Sequence, residues 1–166
     1  MTTKADKFEI DKSIWSQEDF KEMGWHDATI YGLTFEKKES AWTADLILDI
    51  DYIFKWGQPI PPSTNFTFWV APCTLIFTEV FALQMELNTE DYSIQGIEIA
   101  DLHLLKTENH NSGAITYHWN IELQNGLIKF HSNGYTQIVR KKPVHIAGQS
   151  LSMDERGGIN FSQIPY

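Results

Sequence analysis

One cysteine, Cys73, stands in 166 residues. No intrachain disulfide can form, and its neighbours Pro72, Leu75, Ile76 and Phe77 predict a buried thiol, not a catalytic nucleophile. Basic residues are also scarce. The 13 Lys and Arg against 22 Asp and Glu give a net charge of -9, which excludes the chain as a whole from phosphate neutralisation and so from nucleic acid. No apolar run approaches the ~20 residues of a membrane span. The opening "MTTKADKFEIDKS" has no apolar segment of the kind found in secretory leaders, so the expectation is a cytoplasmic protein without membrane contact. Phosphate loops, nucleophile elbows, zinc-ligand spacings and internal repeats are missing as well, and no cofactor is expected.

What the chain has is apolar and aromatic surface, 42% and 13% of residues, enough for one self-sufficient core. No linker divides it, so residues 1 to 166 read as a single domain with about the first 12 frayed. "SQEDFKEMG" predicts the one short N-terminal helix, with Ser16 as cap, Asp19 three residues on and Gly24 at the end. Everything after it alternates as strands do. Residues 27 to 36 and 41 to 56 form a hairpin with Phe35 opposite Trp42, and a phase slip near Gly32 predicts a β-bulge. "NFTFWVAP" and "TLIFTEVFALQMELN" read as two strands, the second interrupted at Glu79, and "SIQGIEIADLHLLKTE" as another. "ITYHWNIELQ" and "LIKFHSNGYTQIV" flank Asn125-Gly126, whose place as a two-residue turn would pair Ile121 with Phe130 and Trp119 with Ser132. A helical turn is expected in "SLSMDERGG". The fold class is therefore mainly β, an antiparallel β-sandwich or an open curved barrel.

The candidate sites follow from this pattern. In "AWTADLILDIDYIFKW" the even positions are apolar and Asp45, Asp49 and Asp51 share the other face, where they would be solvated or turned toward a partner. Between Thr43 and Asp101 nine acidic side chains stand against Lys55 alone, whereas Lys129, Arg140, Lys141 and Lys142 lie in a segment without acids. An electrically two-faced molecule is expected. Trp42, Trp56 and Trp119 fall in the core phase, and Trp69, out of phase with its neighbours, is the expected exposed aromatic. His118 and His131 become diagonal neighbours on the polar face and could begin a metal site, but no third ligand is visible in the sequence. In "GWHDATI", Asp27 suits a turn better than catalysis.

Taken in order, "WHDATIYGLTF", "ADLILDIDYIFKW", "FWVAPCTLIF", "GLIKFHSNGYTQIVRKKP" and "LSMDERGG" resemble a family of small bacterial β-rich proteins. The opening "WHDATI" is also similar to the start of some immunity proteins of polymorphic toxin systems. That resemblance implies a small, acidic, intracellular, non-enzymatic protein and brings no catalytic residues. With the acidic central segment it leads to a binding protein for a basic partner such as a toxin domain, in which Asp45, Asp49 and Asp51 would steer association and Trp56 or Trp69 would anchor it. The alternatives are a small-molecule or carbohydrate-binding β-sandwich module and, last, a metal-dependent enzyme using His26, Asp27 and the strand carboxylates, or the His118/His131 pair.

Overall fold

The computed structural model describes residues 7 to 39, 42 to 59, 61 to 88 and 96 to 166. Among them run β1 (Ile14–Ser16), a 3-10 helix (Gln17–Glu22), β2 (Ala28–Lys37), β3 (Ala44–Gly57), β4 (Thr67–Leu87) and β5 (Ile97–Asn109). Then come β6 (Ile115–Leu123), β7 (Gly126–Ser132), β8 (Tyr135–Val139), β9 (Val144–Ile146) and helix α1 (Met153–Arg156). The strands form one antiparallel sheet in the order β1-β8-β4-β3-β2-β5-β6-β7, with β9 on β4. A further β4–β7 pairing brings six of them round into a ring. The mainly antiparallel β expectation stands, but hydrogen bonding makes one bent sheet where a sandwich has two.

Strand β4 shapes that ring. It was expected as two strands broken at Pro72, yet it runs unbroken for 21 residues, because the Pro72 carbonyl accepts from the Arg140 N–H (3.0 Å) and its position pairs with Asp51. It pairs in turn with β9, β8 and β7. The interruption expected at Glu79 is a true bend. Glu79 and Ala82 take φ of 53° and 52°, a left-handed conformation costing each about 1 kcal/mol or more, and the Asp45 carboxylate receives the Glu79 N–H at 2.9 Å.

Other local readings shift in detail. The segment after Ser16 keeps its capping box with Asp19, but it is a 3-10 helix ending at Met23, not an α-helix ending at Gly24. Tyr52 Oη accepts the Gly24 N–H at 3.0 Å and draws the chain away after six residues, a length at which the tighter helix is common. The α-helix lies instead near residue 153, in the expected "SLSMDERGG", with its own capping box and Gly157 in the left-handed conformation as C-cap. The bulge at Gly32 is present. The β2–β3 hairpin pairs Phe35 with Leu46, not with Trp42, so its connection is longer and Trp42 stands fully exposed on it.

The β6–β7 turn is Gln124-Asn125, one residue before the expected pair. Ile121 thus faces Ile128, and Trp119 faces Phe130. Gly126 is needed elsewhere: a Cβ on it would stand 1.9 Å from the Glu86 carbonyl oxygen, where β7 meets the end of β4. A shift of two preserves the alternation, so the same side chains still face inward.

The core lies inside the ring, with Leu48, Ile50, Leu75, Phe77, Ile121 and Phe130 almost wholly buried. Trp119 is 1% exposed and donates its indole N–H to Ser132 Oγ at 2.9 Å. Ser132→Ala leaves that donor without its partner and is expected to cost about 1–3 kcal/mol. Urea titration with an unchanged m-value checks this.

Candidate functional site

The stripe Asp45, Asp49 and Asp51 is placed on one face of β3, as expected, but it does not meet solvent. Asp49 and Asp51 are fully buried and Asp45 is 5% exposed. The chain after β8 folds back over this outer face and brings its own cations. Asp49 Oδ1 receives Arg140 Nη2 at 2.6 Å and Arg156 Nη2 at 2.7 Å, while Oδ2 receives Arg156 Nη1 and the Asn160 N–H, each at 2.9 Å. Asp51 takes Arg156 Nε at 3.3 Å and the Leu151 N–H at 2.7 Å. Beneath the Arg156 guanidinium, 3.7 Å away, lies the Tyr31 ring, whose hydroxyl donates to the Leu151 carbonyl. Phe161 packs on Ile47, Ile76 and Ile138 beside this cluster and closes over Gly32.

Burial raises the carboxyl pKa of both aspartates, with opposite outcomes. At Asp49 the hydrogen bonds from Arg156, Arg140 and the Asn160 N–H outweigh desolvation and hold the group below its usual value. At Asp51 desolvation prevails over the Leu151 N–H and Arg156, and the group lies above its usual value. Every oxygen of Asp49 is taken by two donors, so it has no free lone pair for a substrate proton or a cation. This cluster is an internal clasp, and the expected acidic partner-facing stripe is corrected to that.

The partners of the stripe were hidden because they lie about 90 to 110 residues away in sequence. A signal existed nonetheless. Ile47 and Ile53 share the acidic phase of β3, and in β4 both phases are apolar from Phe68 to Phe77 but for Thr74. A solvated face does not carry that pattern; a strand covered on both sides does. The expected two-faced charge changes accordingly, since Arg140 is spent on Asp49 and Lys38 reaches Asp45 at 3.0 Å. Glu79, Glu86, Glu98 and Asp101 remain exposed. Glu90 and Asp91 lie outside the described residues.

The tryptophans also redistribute. Trp69 is half-buried, stacked on His145 (centroids 5.0 Å, 17°) and packed on Phe8, so it is covered by its own chain. Trp56 is 40% exposed. A register shift between Ile53 and Lys55 turns it from the core phase onto the outer face, opposite Phe68. There it meets Phe68 and Phe66 edge-on and stacks with His26, at the end of the face that the clasp leaves open. His26 Nδ1 donates to the Ala100 carbonyl at 2.9 Å. The next residue is Asp101, beside His103, which contacts Glu122 at 2.7 Å. Exposed aromatics and exposed acids are thus neighbours here.

The rest of "WHDATI" is structural. Trp25 is buried and Asp27, at φ 63°, makes the expected turn, its carboxylate held by Gln149 Nε2 at 2.7 Å. His118 and His131 are directly opposed, not diagonal, with ring centroids 3.7 Å apart. Glu108 Oε2 is 3.2 Å from His118, and Phe81 stands edge-on to His131. Among the described residues no three His, Cys, Asp or Glu side chains are grouped to hold a metal ion. Cys73 is buried, and desolvation pushes its thiol pKa well up. No family model matches the chain, and neither a curated protein nor a solved structure is found similar to it.

Proposed function

We propose that this chain acts by binding a basic protein partner, neutralisation of a basic toxin domain being the form suggested by its acidity and its immunity-like opening. The observation that carries the reading is the solvent-facing cluster of Trp56, Phe66 and His26 beside Asp101 and Glu122. Exposed tryptophan next to other aromatics is the composition of an interface anchor. A rim of carboxylates steers a cationic partner toward it and raises the association rate at low salt. The same composition would suit sugar stacking, but a net charge of -9 favours a cationic protein.

The test compares the tagged chain with its Trp56→Ser/Phe66→Ser variant as bait in the source cell's own lysate, eluted in rising salt. One basic protein held by the parent and lost by the variant is expected, with affinity reduced about 30-fold or more. Equal retention by both baits, or none by either, overturns the reading.

A further inference from the structure

We infer a second, separate site that takes an organic cation, an alkylammonium or guanidinium group, in the cleft between the N-terminal segment and β3. The cleft has a volume of about 150 Å³, a size that accommodates a benzene-sized group. Its walls are the rings of Phe8, Trp15, Tyr52 and Phe54, and Glu9, Asp11 and Glu22 also line it. No lysine or arginine is among the lining residues. All three carboxylates are on exposed residues, and none is in an ion pair among the described residues.

Aromatic faces attract cations through the ring quadrupole, and an aromatic cage is the usual receptor for an ammonium group. Two of these rings already behave so. Lys12 Nζ stands 4.7 Å over Trp15, tied on its other side to Asp19, and Lys55 Nζ stands 5.7 Å over Phe8. Neither lysine lines the cleft itself. A neutral apolar ligand would find the rings but gain nothing from the three carboxylates, and an anion would be repelled by them.

The Trp15 indole Nε1 is shielded from solvent and has no hydrogen-bond partner among the described residues. With no accessible surface it is not reached by a ligand in the cleft, and it serves instead as a reporter, because a cation seated on the Trp15 ring shifts its resonance. Lysyl and arginyl side chains in a peptide carry such a cation, and so do free amines. This site stands whether or not the Trp56 surface binds a protein.

The test follows the Trp15 indole N–H by heteronuclear NMR during titration with n-butylammonium, agmatine and N-acetyl-lysine methylamide, with N-acetyl-norleucine methylamide as the neutral match. Saturable shifts with the cations, and binding at least about tenfold weaker for the neutral compound, are expected. The variant Glu9→Gln/Asp11→Asn/Glu22→Gln, altered only at exposed residues, should weaken the cations about tenfold while the rest of its spectrum stays unchanged. A lysine-containing peptide that binds more tightly than n-butylammonium identifies a protein side chain as the source; equal affinities identify a free amine. Absence of saturable shifts up to about 50 mM, or equal binding of the neutral match, overturns the site.

Discussion

Replacing Arg156 by methionine is expected to remove about 3–5 kcal/mol of stability at neutral pH, a large share of the roughly 5–15 kcal/mol typical of a domain. Methionine fills much of the volume but leaves Asp49 with Arg140 as its only side-chain cation, and Asp51 with none. The penalty is that of charge stranded in a dry place. Hydrogen exchange at the Leu151 and Asn160 amides should quicken, since both donate to these carboxylates. Loss of less than about 1 kcal/mol would mean that the clasp is only a contact.

The pH dependence sharpens this prediction. Asp49 lies below its usual pKa in the folded protein, so its contribution is present at neutral pH and is lost as pH falls through that folded value. Asp51 lies above its usual pKa. Its contribution has the opposite sign: it favours the folded state at low pH and fades as pH rises through its folded value. On acidification Asp51 therefore takes its proton first, without loss. In the Arg156→Met variant both acids gain by becoming neutral, and its deficit against the parent should narrow as pH is lowered from 7 toward 4. Urea titrations across that range measure the deficit, and one that stays constant with pH would contradict the assigned cause.

Trp25→Ala is the second large effect, expected at about 3–5 kcal/mol. The indole is 1% exposed, packed on Phe20, Tyr52 and Tyr135, and donates to Gln137 Oε1 at 2.8 Å. Removing it opens a cavity and also abandons Gln137, which is fully buried and whose Nε2 already lacks a partner among the described residues. Trp25→Phe separates the two costs, because it keeps most of the packing and loses only the hydrogen bond, at about 1–3 kcal/mol. Thermal unfolding of the two variants, read with near-ultraviolet dichroism, gives both numbers. If alanine and phenylalanine cost the same, packing is not what Trp25 provides.

Local alternation made the strands legible, and so did the chemistry of caps and bulges: Ser16 with Asp19, Ser152 with Glu155, and the slip at Gly32 act through neighbours in sequence. Register was less legible, since it depends on which distant strand needs which glycine. Gly126 reads as a turn residue in the sequence, whereas in the fold the Glu86 carbonyl occupies the space of its Cβ. The acidic stripe failed as a site for the same reason on a larger scale. Whether Asp49 and Asp51 meet water is decided by Arg140 and Arg156; Ile47 and Ile53 beside them announce a cover but do not say which distant residues supply it. Trp56 escaped the core through a one-residue irregularity that alternation alone does not reveal.

The clasp also sets an order on biosynthesis. A ribosome delivers Asp49 and Asp51 more than a hundred residues before Arg156, at about 5–20 residues per second. For several seconds the nascent β3 carries two carboxylates on a face whose cover has not been made. During that interval they keep the face hydrated and discourage its apolar neighbours Ile47 and Ile53 from associating with another chain. The charges that lie dry in the finished protein are thus, until Arg156 is made, charges that oppose association of that face.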